Sequence, residues 1–365
     1  MKFSAAREAL LKPLQAVIGV VERRQTMPIL ANLLLVAKDG ELSITATDLE
    51  VELVANAAVA IDTDGEITVP GRKLLDICRA LPEDAEIALS LSGDKLSVRS
   101  GRSRFTLMTL PAAEFPTVEE LSGSDALEVP QETLVKLFEK THFSMAQQDV
   151  RYYLNGLLIE TGSKVLRAVA TDGHRLALCE VALENPDVPE KQVIVPRKGV
   201  LELQRLLSGE GAVELELGSN HIRAQLDGIR FTSKLIDGRF PEYERVIPAE
   251  ADNEMVADRE TFKAALQRTA ILSNEKYRGI RLIIRDNGVV LQAHNPEQEE
   301  AEEELEVSYS GQDIEIGFNV NYLLDALGVI ESDEVTLSIV DGNSSCLLRE
   351  PGKNDCKYVV MPMRL

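Results

Sequence analysis

A short phrase recurs three times along the 365-residue chain, and this repetition constrains the fold more than any local motif. Its three occurrences are Ala46-Thr47-Asp48, Ala170-Thr171-Asp172 and Ala293-His294-Asn295. They lie about 120 residues apart, which is much longer than a solenoid repeat and matches the size of a whole domain. The chain is therefore predicted to contain one domain copied three times.

A second phrase, an apolar run that leads into a helical pattern, recurs with the same spacing. Its occurrences begin at Ile67, Val193 and Ile316. Polar stretches near residues 118–125 and 248–253 are candidate linkers. The predicted domains span residues 1–120, 127–246 and 250–365.

Each repeat has the pattern helix, strands, helix, strands. Apolar residues at helical spacing open every repeat, as Leu10, Leu14 and Val17 do in the first. Runs of strands without a helix between each pair favour antiparallel sheets, and hence an α+β fold with two helices and two antiparallel sheets per domain. The helices are predicted over residues 5–18, 71–80, 131–142, 197–207, 258–270 and 320–330.

The hydrophobic fraction of 44% is enough for each repeat to bury its own core. No run approaches the roughly 18 apolar residues that span a bilayer, and the start does not resemble a signal peptide. Cys78, Cys179, Cys346 and Cys356 are scattered, so they are expected to be small buried thiols in a reducing cytosol, without a zinc or redox motif. We therefore expect a soluble, cytoplasmic protein.

Charge is distributed unevenly along the chain. A formal net charge of −21 argues against nucleic-acid binding. The predicted helices, however, carry more basic than acidic side chains, and such a surface can hold DNA on one face while the acidic remainder repels it. The alternative is that Lys and Arg occur there simply as good helix formers.

The acidic excess is concentrated in residues 297–304, which hold six carboxylates in eight residues. Such a run is usually a solvated face, but its place inside a repeat also fits a contact with a basic partner surface. Lys73, Arg102 and Arg104 of the first repeat are candidates for that surface. A head-to-tail contact between the third repeat of one copy and the first repeat of another would close a ring.

One loop, Thr171-Asp172-Gly173-His174-Arg175, looks at first like a catalytic site. A catalytic base needs a nucleophile and an orienting partner, and the sister repeats carry no equivalent histidine. The sequence has no phosphate-loop, dinucleotide-binding, nucleophile-elbow or zinc-protease motif. With only 4 His, a histidine metal site is not expected either. The sequence predicts no enzyme, no cofactor and no metal.

Several blocks make the chain resemble a known family along its whole length. They are QDVRYYLNG at 148–156, ATDGHRL at 170–176, VPRKG at 195–199, ILSNEKYRG at 271–279 and YVVMPMRL at 358–365. All resemble the bacterial DNA polymerase III beta subunit family, the sliding clamps.

The resemblance implies three similar domains per chain and a head-to-tail homodimer whose ring encircles duplex DNA, with helices lining the hole and sheets outside. The ring would hold the replicative polymerase and other proteins that carry short clamp-binding peptides. A clamp loader would open it, since the chain has no nucleotide motif of its own. No membrane and no cofactor are implied.

By similarity, sequence-independent DNA contacts would fall on one set of residues. Arg and Lys neutralise phosphates and Gln donates to them, so the set suits the backbone and not the bases. For one of the two tyrosines, core packing is an equally good interpretation. The set is Arg24, Arg72, Gln148, Tyr152, Tyr153, Arg197 and Lys198.

A pocket between the second and third repeats would capture partner peptides, because an apolar cleft with a few polar anchors and flexible Met side chains suits varied ligands. Tyr277 stands where clamps often carry Phe, and Asn343 where an apolar residue is common, which could shift peptide preference. The implied set is Leu154, Thr171, Gly173, His174, Arg175, Leu176, Pro241, Arg245, Val246, Tyr277, Asn319, Tyr322, Ser345, Val359, Val360, Met361, Pro362, Met363 and Arg364.

The implied dimer interface has a basic and an acidic side. Exposed ion pairs contribute only about 0–1 kcal/mol each, so the apolar members should supply most of the adhesion and the charges should set the register. One copy would contribute Lys73, Arg102, Arg104, Phe105 and Leu107, and the other Ile271, Leu272, Glu297, Glu299, Glu300, Glu302 and Glu303.

Two alternatives to the ring remain open at this point. One is an enzyme that uses Asp172 and His174. The other is a scaffold that gathers peptide-bearing proteins without encircling DNA. The basic helices argue against the scaffold.

Overall fold

The computed structural model describes residues 1–21, 27–118, 125–162, 164–184, 188–248 and 254–364, and the helices in these ranges follow the prediction. Their bounds agree with the predicted ones to within about two residues, which is the usual spread for helix ends. They are α1 Arg7–Val17, α2 Gly71–Ala80, α3 Gln131–Thr141, α4 Arg197–Leu206, α5 Arg259–Thr269 and α6 Val320–Val329.

Local chemistry explains why a helix follows each of the apolar runs that begin at Ile67, Val193 and Ile316. Pro70 and Pro196 are the last residues of the strands before α2 and α4, and proline cannot donate an N–H to a continuing ladder. At α6, the Asn319 side chain accepts the N–H of Asn321, and at α5 Asp258 accepts that of Thr261. These caps satisfy N–H groups that the first helical turn leaves without a partner.

The strands fill the rest of each repeat. In chain order the first nine are β1 Lys2–Ala6, β2 Asn32–Lys38, β3 Glu41–Thr47, β4 Val51–Ala58, β5 Ala60–Thr63, β6 Gly65–Pro70, β7 Glu86–Ser92, β8 Lys95–Ser100 and β9 Ser103–Met108. The next eight are β10 Asp125–Pro130, β11 Gly156–Gly162, β12 Val165–Thr171, β13 Arg175–Ala182, β14 Lys191–Pro196, β15 Ala212–Leu217, β16 His221–Leu226 and β17 Ile229–Lys234. The last eight are β18 Glu254–Asp258, β19 Gly279–Arg285, β20 Gly288–His294, β21 Glu300–Glu306, β22 Ile314–Asn319, β23 Glu334–Ser338, β24 Cys346–Arg349 and β25 Cys356–Val360.

Contacts between residues divide the chain into two compact units. The first unit, Met1–Leu134 with Lys198–Leu235, has a five-stranded sheet in the order β5-β1-β7-β8-β9 and an eight-stranded sheet in the order β10-β15-β16-β17-β4-β3-β2-β6. The eight-stranded sheet joins the first and second repeats, because β17 pairs antiparallel with β4, with Phe231 opposite Leu53. Both of these side chains are fully buried.

The second unit, Val135–Arg197 with Ile236–Leu365, is built in the same way. Its eight-stranded sheet has the order β14-β11-β12-β13-β25-β24-β23-β18, and its four-stranded sheet has the order β21-β20-β19-β22. Antiparallel pairing of β13 with β25, where Leu176 lies opposite Val359, joins the second and third repeats. Phe262 of α5 and Phe318 of β22 lie fully buried in the core of this unit.

The α+β class with antiparallel sheets is confirmed. Each repeat supplies strands to two sheets, but each eight-stranded sheet combines strands of two successive repeats, which the repeat pattern does not predict. The predicted domain bounds remain a prediction, since the two compact units divide the second repeat, and the ends at residues 120 and 250 lie outside the described residues. Among the described helices, none is long and apolar enough to cross a bilayer.

Candidate functional site

A cavity of about 680 Å³ opens within the second compact unit. Binding sites for small ligands usually have volumes of roughly 300–1,000 Å³. Its walls come from residues 151–154, 171–176, 241–248 and 340–361, so distant parts of the chain meet there. The predicted pocket residues that line it are Leu154, Thr171, Gly173, Arg175, Leu176, Pro241, Arg245, Val246, Ser345, Val359 and Met361.

Other lining residues were not in the predicted pocket set. Tyr153 was predicted to contact DNA, whereas Asn343 was predicted to lie at the pocket edge and to influence peptide preference, and it does line the cavity. Their positions next to predicted pocket residues in the chain were the signal that could have found several of them. The additional lining residues are Arg151, Tyr153, Glu242, Tyr243, Ile247, Pro248, Val340, Asn343 and Ser344.

The turn of residues 171–175 forms one wall, and its own side chains hold it in place. Thr171 Oγ1 donates to the carbonyl of Arg175 at 2.6 Å and accepts the N–H of Gly173 at 3.1 Å. Asp172 Oδ1 accepts the N–H groups of His174 at 2.9 Å and Arg175 at 3.1 Å. Asp and Thr side chains commonly close short turns in this way. The Asp172 carboxylate therefore acts as a structural acceptor in this loop.

Because Gly173 has no side chain, the Arg151 guanidinium can pack directly against this turn. Its φ of +88° lies in the left-handed region, and a Cβ there would come within 2.7 Å of Arg151 Nη1. Arg151 donates to the carbonyl of Asp172 at 3.1 Å and to both carboxylate oxygens of Asp149, at 3.0 and 2.9 Å. These hydrogen bonds lower the pKa of Asp149 to about 2. Arg151 is thus fixed at the cavity by an ionised partner at neutral pH.

Arg175 is a nearly enclosed cation in the same wall. Its Nε donates to Asp172 Oδ2 at 3.0 Å, Nη1 to Asp325 Oδ2 at 2.5 Å and Nη2 to the carbonyl of Phe143 at 2.8 Å. The guanidinium carbon also lies 4.6 Å from the ring centroid of Tyr322, a cation–π distance. An apolar cavity with two fixed cations, Arg151 and Arg175, suits an apolar ligand that carries a polar or acidic group.

The remaining predicted pocket residues do not line the described cavity, and their role stays a prediction. Two of them brace the chain end instead: the carbonyl of His174 accepts the N–H of Met361 at 2.9 Å, and Met363 donates to the carbonyl of Gly317 at 2.8 Å. Tyr322 supports Arg175. The set is His174, Tyr277, Asn319, Tyr322, Val360, Pro362, Met363 and Arg364.

The predicted DNA contacts are in different environments. Arg24 lies outside the described residues. Arg72 Nη2 donates to the carbonyl of Val21 at 2.5 Å, and Lys198 forms an ion pair with Asp48 at 2.5 Å. These two cations already contact the protein, so DNA would have to compete with those contacts.

The other predicted DNA contacts belong to the second unit. Gln148 is exposed, and burial together with the charge of Arg175 lowers the pKa of Arg197. Tyr152 is 56% exposed, whereas Tyr153 is half-buried against the core. Core packing is therefore the better interpretation for Tyr153. The Tyr152 ring packs edge-to-face on that of Tyr153, with centroids 5.8 Å apart, and its contact with DNA stays a prediction.

Several basic helix residues stabilise helix ends. Cations near a helix C-terminus satisfy its free carbonyls and interact favourably with its dipole. The count of basic helix residues therefore overstates the charge available to DNA. The donor and acceptor pairs at helix ends are Arg7 Nε to Cys78 O at 2.8 Å, Arg205 Nη2 to Ala16 O at 2.6 Å, and Lys140 Nζ to Val329 O. Arg259 Nε donates at 2.8 Å to Ser332 O, which lies beyond the end of α6.

Many of the predicted interface residues lie at or next to two sheet edges, whereas Lys73 lies on α2 and Ile271 and Leu272 lie in the short helical turn Ala270–Leu272. β9 is an edge of the five-stranded sheet and β21 an edge of the four-stranded sheet. Arg102 and Arg104 are exposed at the first edge. At the second, Glu300, Glu302 and Glu303 lie on β21, while Glu297 and Glu299 come just before it. Ile271 is 74% exposed, but Leu107 is only 8% exposed and has little surface left to offer a partner. Glu303 forms an ion pair with Arg268 of its own chain.

The expectation of separate buried thiols was wrong for two cysteines. Cys179 and Cys356 form a disulfide, and they lie directly opposite each other on β13 and β25. They are 177 residues apart in the sequence, so spacing could not reveal the pair. Cys78 and Cys346 are buried and free. Among the described residues, no group of three or more His, Cys, Asp or Glu could hold a metal ion.

Comparison with known proteins agrees with this architecture. Family models of the DNA polymerase III beta subunit match the chain consecutively: the N-terminal domain over residues 1–119, the central domain over 128–242 and the C-terminal domain over 244–364. The beta sliding clamp of Pseudomonas putida is 58% identical, and that of Escherichia coli (strain K12) 52% identical, each over 100% of both chains.

Solved structures show the same similarity. The crystal structure of the DNA polymerase III subunit beta from Pseudomonas aeruginosa superimposes with a TM-score of 0.98 at 56% identity, covering 100% of both chains. A Pseudomonas aeruginosa sliding clamp bound to griselimycin gives a TM-score of 0.96 at 57% identity, again over 100% of both chains. The chain therefore belongs to the DNA polymerase III beta subunit family, the bacterial beta sliding clamps.

Proposed function

We propose that this protein is a non-enzymatic DNA sliding clamp. Two copies close head to tail into a ring around duplex DNA and tether the replicative polymerase and other DNA-processing proteins. The observation that carries the proposal is the similarity to beta sliding clamps over the whole of both chains. The structural role of Asp172 supports it, because the loop that looked catalytic is an ordinary turn.

The physical basis of the activity is topological. Non-specific protein–DNA contacts have dissociation constants of roughly 10⁻⁴ to 10⁻⁶ M at physiological salt, too weak to hold a polymerase through long synthesis. A closed ring leaves only by opening or by reaching a DNA end, so weak contacts become an advantage because they permit sliding. Loading such a ring requires a clamp loader, and we place the protein in the cytoplasm with the DNA it serves.

Ring closure would join the two sheet edges from different copies. An unpaired edge strand is ready to pair with another chain, and opposite charges on the two edges favour that pairing over pairing of like edges. Because exposed ion pairs add little, Ile271 and Leu272 should supply most of the adhesion, together with Phe105.

The dimer is tested by the double variant Ile271→Ala with Leu272→Ala. Loss of this exposed apolar surface should shift the protein towards monomer at low micromolar concentration in sedimentation velocity. Leu49→Ala, which also trims an exposed leucine but lies outside the proposed interface, is the matched control. Unchanged sedimentation of the double variant would contradict the proposed interface.

The 680 Å³ cavity is the proposed binding site for partner peptides. Leu154, Leu176 and Val359 are nearly fully buried in its apolar floor, while Arg151 and Arg175 provide fixed cations. Short peptides from the polymerase, the clamp loader and other partners would enter it one at a time. Competition for one site would then decide which protein acts on the DNA.

Retention on circular DNA tests the whole proposal. The protein is loaded onto nicked circular DNA by a clamp loader with ATP, washed at moderate salt, and the circle is then cut with a restriction enzyme. Loss of the protein upon cutting, after stable retention before it, would establish a topological link. Retention that survives cutting, or no retention on either form, would favour a peptide-binding scaffold that does not encircle DNA.

A further inference from the structure

A row of polar side chains crosses four neighbouring strands beside the cavity. Gln192, Glu160, Arg167 and Glu180 lie directly opposite one another on β14, β11, β12 and β13. Arg167 Nη1 donates to Glu160 at 2.6 Å, and its Nε and Nη2 donate to Glu180 at 2.8 and 2.7 Å. Gln192 donates to the second Glu160 oxygen at 2.5 Å. The row is thus bonded continuously from strand to strand.

Tyr243 stands on this row. Its hydroxyl accepts Arg167 Nη1 at 2.9 Å and lies 3.3 and 3.4 Å from the two oxygens of Glu160, to which it can donate. The side chain is 6% exposed, and its ring packs edge-to-face on Phe240 with centroids 6.4 Å apart. Burial raises the pKa of the Tyr243 phenol, so it stays protonated at neutral pH and can donate and accept at once.

Tyr243 begins a short helical turn, Tyr243–Val246, that has a cavity on each side. Tyr243, Arg245 and Val246 line the 680 Å³ cavity, while Glu244 lines a second cavity of about 460 Å³ together with Glu160 and Arg167. Glu244, Arg245 and Val246 are exposed, whereas Tyr243 packs in the core, so the segment is anchored mainly through Tyr243. The ring packing and the hydroxyl bonds of Tyr243 together fix its position.

We propose that Arg167, held by Glu160 and Glu180, is a positioning residue that fixes Tyr243 and with it the wall formed by Arg245 and Val246. Arg167 thereby sets the affinity of the cavity for its ligand without touching the ligand. Arginine suits this task because its planar fork donates to several partners at once, which the single ammonium of lysine does not do with the same geometry. The inference rests on the proposed function, since it requires the cavity to be the partner site.

The test uses full-length protein and griselimycin, the compound bound in a Pseudomonas aeruginosa sliding clamp structure, which we propose occupies the 680 Å³ cavity of this protein. Affinity is measured by isothermal titration calorimetry. Tyr243→Phe removes only the hydroxyl and should weaken binding about three- to tenfold, the net worth of one hydrogen bond. Tyr309→Phe is the matched control, because Tyr309 is equally buried and donates to the carbonyl of Gln312 at 2.6 Å, but does not line the cavity. It should lower the thermal midpoint as Tyr243→Phe does and leave the affinity unchanged.

A double-mutant cycle separates positioning from general stability. Arg167→Lys should weaken binding at least as much as Tyr243→Phe, and the double variant should bind no more weakly than Arg167→Lys alone, since both changes remove the same contact. Wild-type affinity in Tyr243→Phe, equal loss in Tyr309→Phe, or additive losses in the cycle would overturn the positioning role alone. If the wild-type protein fails to bind griselimycin, the proposed function of the cavity falls, and this inference with it.

Discussion

The turn that lines the cavity has a counterpart in the other compact unit. The two turns have the same backbone hydrogen bonds, but their side chains make different contacts. In the first unit, Thr47 Oγ1 donates to the carbonyl of Val51 at 2.9 Å, and Asp48 Oδ1 accepts the N–H groups of Glu50 and Val51 at 2.9 and 2.7 Å. Thr171 and its neighbours repeat these bonds in the second unit. In both, the carbonyl of the fourth residue accepts an N–H from the next repeat: Glu50 from Lys234, the last residue of β17, and His174 from Met361, the residue directly after β25.

The side chains on this shared turn differ. The left-handed third position is Leu49 in the first copy, with a φ of +78°, and Gly173 in the second. Leucine projects a side chain there, whereas glycine leaves the space that the Arg151 guanidinium occupies. The carboxylate of Asp48 pairs with Lys198 from a distant helix, while that of Asp172 pairs with the adjacent Arg175. The repeated turn thus provides the same backbone in both units, and differences in a few side chains make one copy a cavity wall.

The strands that follow the turns differ as well. In the first unit Ala55 lies opposite Ile229, and in the second the equivalent place holds the disulfide between Cys179 and Cys356. One join between repeats therefore relies on apolar packing, and the other adds a covalent link.

Exchanging this pair should have the largest effect. Cys179→Ala with Cys356→Ile gives the second unit the residues of the first, and loss of the cross-link should lower the free energy of unfolding by about 2–4 kcal/mol. Urea denaturation without reductant measures it. With dithiothreitol the two proteins should unfold nearly alike, and an equal difference in reductant would mean that packing, not the cross-link, separates the two joins.

Giving the second turn the leucine of the first should come next. In Gly173→Leu the new Cβ meets the Arg151 guanidinium and displaces it, so griselimycin affinity should fall about thirtyfold, or roughly 2 kcal/mol. The free energy of unfolding should fall by less than the binding free energy does. Leu49 shows that this turn accepts leucine in the left-handed region, where a non-glycine residue costs about 1–2 kcal/mol.

Calorimetry with the ligand and a thermal scan check this exchange together. Gly173→Ala, which keeps the backbone cost with a smaller side chain, should lose less affinity than Gly173→Leu. Full binding by Gly173→Leu would show that the glycine does not shape the wall.

Removing the carboxylate from each turn should have a smaller and more symmetrical effect. Asp48→Ala and Asp172→Ala each leave two N–H groups without their acceptor and should each cost about 1–2 kcal/mol of stability. Only Asp172→Ala should also weaken ligand binding, because it removes a carboxylate that holds the Arg175 guanidinium. The corresponding Asn variants retain an acceptor and should recover part of the stability, and equal ligand loss in both Ala variants would end the distinction between the turns.

The smallest effect is expected for Leu49→Gly. Relief of the left-handed strain is offset by the greater freedom of glycine in the unfolded chain, so stability should change by less than about 1 kcal/mol. Chemical denaturation checks this. A large loss would mean that the Leu49 side chain, which is 38% exposed, packs in a way that its exposure does not suggest.

Much of the fold could be read from the sequence because its signals are local. The helix bounds follow from apolar spacing and from prolines such as Pro70 and Pro196. The acidic run was correctly placed inside a folded repeat, where it forms β21. The joining of successive repeats in one eight-stranded sheet could not be predicted, because it depends on pairings between distant residues, such as Phe231 with Leu53.

The candidate site was predictable only in part. Residues within the family-like blocks, such as Leu154 and Leu176, were found, whereas Tyr243 and Val340 were missed because no local pattern distinguishes a wall residue from a core residue. The sequence also overstates how many basic side chains of the helices are free to contact DNA. Lys140, one of the basic residues of the predicted helices, is 7% exposed and donates to a helix end.

The sequence by itself determined the threefold repetition, the α+β class and membership in the clamp family, since each is written in residue order and spacing. Only the tertiary structure decided which cations are committed to helix ends, which cysteines meet, and which copy of the turn opens onto a cavity. The physical reason is that these outcomes depend on contacts between residues far apart in the chain. Hydrogen-bond partners, burial and available space are fixed only when the strands of successive repeats have paired.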